Sequence, residues 1–454
     1  MKGLQAPAAV RWVAQTLEEA GFETWAVGGA VRDSLAGRAG GDWDLATRAH
    51  PGEVRRIFRR TVPIRMDHGT VGVLARDGTM YEVTTFRRDV ETTGRHAVVA
   101  FAESLDEDLA RRDFTINALA WHPLREVLHD PFDGAADLER KILRTVGRPA
   151  ERFSEDYLRV LRALRFAGAF GLEIEGDTWR ALTAAVGRTG ILSPERIREE
   201  LEKVLAGSVR PSGALALYAA SGILAFLYPE LDALVTHPRA ENGRWFAHSL
   251  RTVDALPAIR TELRWAALLE GIGEPEGPSG AGDGGLPAGD RAFLRTAALL
   301  TRLRTSNARV AALAELTRWM ARPPDVGADD ATLRRWLSAV GRERLRPLFR
   351  VWCAEVRADE PEGSPRTRRH LRALWTRLRG VARSGVPLGL SDLALTGRDL
   401  IRMGYTPGPH FGEVLDHLLD QVLEDPVRNR TADLQGEAVA WLEARGKSPG
   451  GRRG

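Results

Sequence analysis

One stretch, Val27–Ala46 (VGGAVRDSLAGRAGGDWDLA), constrains this chain more than any other. An apolar segment, Trp25-Ala26-Val27, reads as a strand and runs directly into Gly28-Gly29. Ala30–Ala36 reads as a short helix stopped by Gly37, and a glycine-rich turn leads to a second strand, Asp42-Trp43-Asp44-Leu45-Ala46. Alternate residues of a strand share a face, so Asp42 and Asp44 are expected to point the same way. Two carboxylates on one sheet face, just past a glycine turn that bares backbone N–H groups, suit Mg²⁺ and a triphosphate. Magnesium takes few protein carboxylates and fills its shell with water and phosphate oxygens. Paired ions about 3.5–4 Å apart clamp the attacking and leaving oxygens of an in-line displacement. D-x-D alone often only flanks a turn, so the reading rests on the whole combination.

A second charged string is Phe153–Phe170, FSEDYLRVLRALRFAGAF. Ser154 predicts a helix N-cap, with Glu155 and Asp156 in the first turn. Asp156 and Arg159 are then neighbours one turn apart, and Arg162 and Arg165 continue their row. An ion pair on a solvated face is the plain reading. The chemical reading is sharper. Cytosine and adenine each present a ring-nitrogen acceptor beside an amino donor; guanine and uracil present the opposite sense. A carboxylate accepts and a guanidinium donates. One Asp–Arg pair therefore fits both C and A and rejects G and U.

Elsewhere the pattern is coarser. Residues 7–20 carry Val10, Val13 and Leu17 at helical spacing, and Pro51–Arg60 reads as a helix. Thr61–Met66, Gly69–Ala75 and Met80–Arg87 read as strands, with Asp77-Gly78 as a hairpin turn. Glu82 shares a face with Met80 and Thr84; it is either a third site carboxylate or a solvated strand glutamate. Arg87–Phe101 is polar and without period, so it is expected to be a structureless loop, functional or plain. Ser104–Ala120 reads as a helix containing Arg111-Arg112-Asp113-Phe114-Thr115-Ile116-Asn117. Ser193-Pro194 opens another helix, through Leu205. Beyond Gly207 the pattern is helical. His248 is read as a packing residue, with Glu270-Gly271 giving no metal phosphohydrolase pair. Glu274–Asp290 and Lys447–Gly454 are expected to be disordered. Arginines crowd Arg334–Arg383, with Trp336, Trp352 and Trp375 among them; these helices either follow RNA phosphates or are merely solvated. The helix starting near Pro409 offers N–H groups to a phosphate.

With 454 residues the chain is long enough for about three domain-sized units. A hydrophobic fraction of 43% with 28% charged residues places it among globular proteins. Net charge is only +4, but the pI is about 9.5, and nearly all the positive charge is arginine. Arginine suits bidentate phosphate contacts. Cys353 is the single cysteine, which excludes an internal disulfide and a cysteine zinc site. No run of about 18 apolar residues is present, so no membrane span is expected, and a cytoplasmic enzyme is the default.

The run GG-x-x-R-D, then Gly37, then D-x-D resembles the first motif of the polymerase-β-like nucleotidyltransferases. Within them it resembles the branch of class II tRNA CCA-adding enzymes and poly(A) polymerases. Arg111–Ala118 is similar to that family's second motif, and ED-x-x-R-x-x-R-x-x-R to its base-reading motif. The resemblance implies an α+β fold: a nucleotidyltransferase head (1–145) followed by an all-helical neck (146–215), body (216–350) and tail (351–446), with 447–454 disordered. It implies Mg²⁺ on Asp42 and Asp44, with Glu82 as a further catalytic carboxylate. Gly28, Gly29, Arg32, Arg112, Arg162 and Arg165 would bind nucleotide, and Asp156 and Arg159 would read the base. Asp113 would be the structural partner of Arg112. Glu195, Arg196, Arg198 and Glu199 would brace the base-reading helix. The loop 87–101, with Asp89, Glu91 and Arg95, would help the switch from C to A addition. The implied partners are tRNA, CTP and ATP. Poly(A) addition, CC-only or A-only addition, and an inactive RNA-binding protein are the alternatives.

Overall fold

The computed structural model describes residues 4–38, 41–66, 69–92, 97–236, 244–274, 285–359 and 365–448. Helix α1 (Ala8–Glu19) buries Val10, Val13 and Leu17, the positions its spacing predicts, together with Ala14. Next come β1 (Thr24–Val27), α2 (Gly29–Leu35), β2 (Asp44–Thr47), α3 (Pro51–Ile57), β3 (Thr61–Arg65), β4 (Thr70–Leu74) and β5 (Met80–Thr85). The hairpin β6 (Arg87–Thr92) and β7 (Ala97–Phe101) precedes α4 (Leu105–Ala110), β8 (Ala120–His122), β9 (Val127–His129) and α5 (Gly134–Arg140). Seven strands form one sheet in the order β3-β4-β5-β2-β1-β8-β9. Its pairings are antiparallel except β2 with β5, which run parallel with Leu45 opposite Val83.

Side chains alternate between two cores, as the period of a strand requires. Ala26 and Leu45 join Val13, Leu17, Val71 and Val83 on the α1 side. Trp25, Val27 and Ala46 join Phe86, Leu105 and Leu109 on the other. Asp44 has the parity of Ala46 and pairs with Val27 across β1–β2. The start of β2, the end of β1 and Gly28 therefore meet at one end of the sheet.

Helices α6 (Pro149–Glu155), α7 (Leu158–Phe170), α8 (Gly176–Ala185) and α9 (Pro194–Gly207) follow. Helix α7 buries Val160, Leu161, Ala163, Leu164, Phe166 and Ala167 and ends at Gly171 in the left-handed conformation. Sheet and these helices belong to one compact unit, Met1–Thr236 with Pro257–Thr261 and Leu299–Thr305; the rest forms a second. In its described residues the second unit is built of helices, among them Arg244–Asp254, Asn307–Met320, Leu345–Asp359, Pro365–Arg383 and His410–Glu424. No helix among the described residues is long and apolar enough to cross a membrane.

Several expectations are corrected. Arg87–Phe101 is not structureless: β6 and β7 pair antiparallel, with Arg87 opposite Phe101 and Arg88 opposite Ala100. Asp89 and Glu91 lie on β6, and Arg95 falls outside the described residues. The β-branched, aromatic run Val98-Val99-Ala100-Phe101 favours a strand without needing alternation. Helix α4 stops at Ala110, and Thr115–Asn117 form a 3₁₀ turn instead of continuing to Ala120. Ser154 caps nothing; it sits inside α6, where its hydroxyl bonds the Glu151 carbonyl at 2.8 Å. The break comes at Asp156, which is extended (φ −153°, ψ 107°) and whose carboxylate accepts the Leu158 N–H at 3.0 Å. A short acidic side chain competes for backbone donors and so favours a helix start over a helix interior. Ala288–Asp290, expected in the disordered loop, already belong to the helix Ala288–Arg302.

Candidate active site

All eleven residues singled out from the sequence line a single cavity of about 900 Å³ in the first unit. They are Gly28, Gly29 and Arg32 around α2, Asp44 at the first position of β2, Glu82 on β5, Arg112 after α4, and Asp156, Arg159, Arg162 and Arg165 at α7, with Asp42 two residues before β2 and, contrary to expectation, not on it. Nine cationic side chains face six carboxylates on this wall, an excess that suits a polyanion.

At the acidic end, Asp42 and Glu82 are exposed and Asp44 is half-buried. Burial and the neighbouring Glu82 push the Asp44 carboxyl up to about 6; Arg112 pulls it down and Asp42 adds to the rise. Among the described residues, no three His, Cys, Asp or Glu side chains are gathered into a metal-ligand set. The donors offered are all carboxylate oxygens, the kind a hard divalent cation takes alongside water and phosphate. A carboxyl raised by like charges is also one that a cation returns to its charged form. The residues present therefore fit a divalent ion.

Gly28 links β1 to α2 with φ +73°, and a Cβ there would stand 2.9 Å from the Arg112 guanidinium. The backbone conformation requires glycine, and any added side chain would also displace the Arg112 guanidinium. Contrary to expectation, Arg112 is not held by Asp113. Its Nη2 donates to Asp108 Oδ2 at 3.0 Å, one helical turn back. Burial raises the Asp108 carboxyl, but Arg112, Arg111 and Arg87 outweigh it and hold the pKa below the usual range. Asp113 instead accepts Nε of Arg162 at 2.7 Å. Burial opposes its charge, yet Arg162 and the Asn117 amide bring its pKa down to about 2. Arg32 is buried, paired with Asp33 at 2.8 Å, and lies over the Phe166 and Phe170 rings. Burial lowers its pKa.

Asp156 and Arg159 do not pair with each other, because Asp156 stands outside α7. The Asp156 carboxylate takes Arg196 from α9 at 2.7 Å. Arg159 donates to the Arg152 carbonyl at 2.9 Å, the Arg111 carbonyl at 3.2 Å and the Glu155 carboxylate. Arg165 pairs at 2.7 Å with Glu200 of α9, and Lys203 binds the other Glu200 oxygen at 2.8 Å. Of the expected braces of the base-reading helix, Arg196 holds Asp156 ahead of that helix, whereas Arg198 bonds the Leu303 carbonyl at 3.2 Å and Glu195 pairs with Arg304. Sequence reasoning missed Glu200, Asp108 and Asn117. Glu200 has one legible signal: a glutamate on the apolar stripe of α9, between Ile197 and Leu201.

In the second unit, His248 pairs with Glu270 at 2.9 Å beside a cavity of about 330 Å³, so it does more than pack. Trp352 is buried, with its N–H on the Met320 carbonyl at 3.2 Å, and Trp375 stacks on Phe349 at 4.3 Å. A cavity of about 500 Å³ is lined by Arg342, Arg346, Arg379 and Arg383.

A mixed sheet with a glycine turn, a D-x-D strand end and an arginine-lined cavity is the build of a nucleotidyltransferase head. Residues 24–144 match the family model described as "Poly A polymerase head domain". Residues 171–235 match "Probable RNA and SrmB- binding site of polymerase A", and 388–438 match tRNA nucleotidyltransferase domain 2. The CCA-adding enzyme of Geobacillus kaustophilus is 35% identical over 441 residues, 96% of each chain. That of Geobacillus thermodenitrificans is 35% identical over 443 residues, again 96% of each. The crystal structure of the Bacillus stearothermophilus CCA-adding enzyme in complex with CTP superposes with a TM-score of 0.72 at 30% identity, covering 97% of this chain and 99% of that one. This chain belongs to the CCA-adding enzyme family of tRNA nucleotidyltransferases.

Proposed function

We propose that this protein adds C, C and A to the 3′ end of tRNA from CTP and ATP, without a template, releasing pyrophosphate. One observation carries the reading: the acidic end of β2 and the arginine row of α7 face the same 900 Å³ cavity. The RNA 3′-hydroxyl oxygen bonds to the α-phosphorus of the nucleotide. The bond from that phosphorus to the bridging oxygen breaks, the hydroxyl proton passes to solvent, and pyrophosphate leaves. Asp42 and Asp44 would hold the divalent cations, Mg²⁺ in this reading, with Glu82 beside them. Bound there, Mg²⁺ supplies Lewis acidity for the hydroxyl and charge for the departing pyrophosphate.

Arg32, Arg112 and the Gly28-Gly29 backbone take the triphosphate, with Arg162 and Arg165 above it. Asp156 and Arg159 read the base edge, each held from behind by other partners. Three of the five Arg159 N–H groups are bound, which leaves two to donate. Residues 146–215 serve as neck, and the body and tail hold RNA by shape and phosphate contacts. The setting is cytoplasmic.

A tRNA transcript lacking its CCA end, offered each of the four nucleotides and then CTP with ATP, tests the reading. Extension by CCA that stops is the expected result. No extension, or an unlimited A tail, would refute it. Asp42→Ala and Asp44→Ala should abolish addition while tRNA still binds, because affinity comes mainly from remote basic surface.

A further inference from the structure

Three arginines on the cavity wall come from separate stretches: Arg32 from α2, Arg112 from the turn after α4, and Arg162 from α7. Arg32 and Arg112 bond Asn117 directly and Arg162 reaches it through Asp113; Asn117 itself is 6% exposed. Its Oδ1 accepts from Arg32 Nη1 at 2.5 Å. Its Nδ2 donates to Asp113 Oδ1 at 2.9 Å, and the other oxygen of Asp113 takes Arg162 Nε at 2.7 Å. The Asn117 main-chain carbonyl accepts from Arg112 Nη1 at 3.4 Å. The neighbours fix the amide's orientation. Reversed, it would set N–H against a guanidinium and a carbonyl against a carboxylate.

We propose that Asn117 is a positioning residue whose amide bridges the triphosphate-facing Arg32 to Asp113, and through Asp113 to Arg162 on α7. The inference rests on the nucleotide-addition reading. The amide accepts from a cation at one end and donates to an anion at the other, and it does so at any pH, whereas a carboxyl of the same size can do so only while protonated. A neutral aliphatic residue would leave Arg32 and Asp113 each short of a partner. Both arginines could then drift from the spacing that one bound nucleotide needs.

A carboxyl in place of the amide makes the idea testable. In N117D two carboxylates would stand about 2.9 Å apart, and like charges this close cannot both ionise, so one pKa is strongly raised. Once it holds that proton, the new carboxyl has the shape and hydrogen-bond sense of the amide. Its O–H donates to Asp113 and its carbonyl accepts from Arg32. The charges facing the bridge are Arg32 and Asp33 of α2, Arg112 and Asp113 of the turn, and Arg159, Arg162 and Arg165 of α7.

The full-length wild type, N117D and N117A are compared for CTP and ATP addition to a tRNA lacking CCA, from about pH 6 to about pH 9, with thermal unfolding followed at each pH. N117A should lose roughly tenfold to a hundredfold in kcat/KM at every pH, with weaker discrimination against UTP and GTP. N117D should lose as much near pH 9 and return to within about threefold of wild type near pH 6, as the shared proton binds. A ratio of N117D to wild type that is flat with pH overturns the inference, and so does N117A with wild-type kinetics. N117D that fails to fold across the range also overturns it, by making Asn117 a residue of folding alone. A wild type that adds neither C nor A fails the nucleotide-addition reading, and the inference falls with it.

Discussion

Replacing Asp113 by asparagine removes one charge at the joint between sheet and α7 and changes almost nothing in shape. The native carboxylate is 6% exposed and is brought from 3.8 to about 2 against the opposing effect of burial. At about 1.4 kcal/mol per pH unit, that depression is worth about 2–3 kcal/mol of stability at neutral pH. Breaking a fully buried pair costs about 3–5 kcal/mol. Here the Arg162 side chain is 32% exposed to the cavity, so water recovers part of the loss and about 2 kcal/mol is expected. The sign follows from the depressed pKa. Stabilisation is complete above the unfolded value of 3.8 and disappears as pH falls through about 2. The gap between wild type and D113N should therefore be constant from about pH 8 to about pH 5 and close only below about pH 4. Because the chain forms two units, the assay is native-state hydrogen exchange of the α7 amides rather than one global midpoint. A gap under about 0.5 kcal/mol, or one that already narrows between about pH 8 and about pH 5, would refute the pairing of Asp113 with Arg162.

Three further substitutions probe the same cavity. Gly28→Ala strains a backbone at φ +73° and pushes Arg112 aside. It should cost about 1–3 kcal/mol and raise KM for both nucleotides, as thermal unfolding and steady-state kinetics would show. Glu200→Gln releases Arg165 and Lys203 and should destabilise by about 1–3 kcal/mol in urea; unchanged stability would mean the buried carboxylate is not what holds them. Arg159→Ala should reduce CTP and ATP incorporation alike, by about tenfold or more, since both bases need the same ring-nitrogen donor. Retained preference for CTP and ATP over UTP and GTP in that variant would move base reading to other residues.

The order of strands and helices through β5 was legible because local signals there agree with the fold. Glycines end helices, Asp77-Gly78 makes the hairpin, and Val10, Val13 and Leu17 repeat at helical spacing. The cavity residues were legible because they sit in dense charged strings. Their partners were not. Asp156 and Arg159 are three apart, yet the helix they seemed to share breaks between α6 and α7, and no proline or glycine marks the break. Asp113 was matched to its neighbour Arg112, although its partner Arg162 lies 49 positions away. Pairing across that distance depends on how α7 packs, which local spacing does not encode. The tryptophans among the arginines of 334–383 left two readings open, and the sequence does not say which of them pack inward. Trp352 is buried in the core, while Trp375 lines a cavity together with Arg342, Arg346, Arg379 and Arg383.

The arginines of the cavity are held before any ligand arrives: Arg112 by Asp108, Arg159 by carbonyls of residues 111 and 152, Arg162 by Asp113 and Arg165 by Glu200. Freezing a long side chain on binding costs about 0.5–1.5 kcal/mol in rotamer entropy. For these four, roughly 2–6 kcal/mol of ordering is borne by folding and not by each incoming nucleotide. A protein that must take up and release several nucleotides in succession on one growing end meets that ordering cost once, when the chain folds.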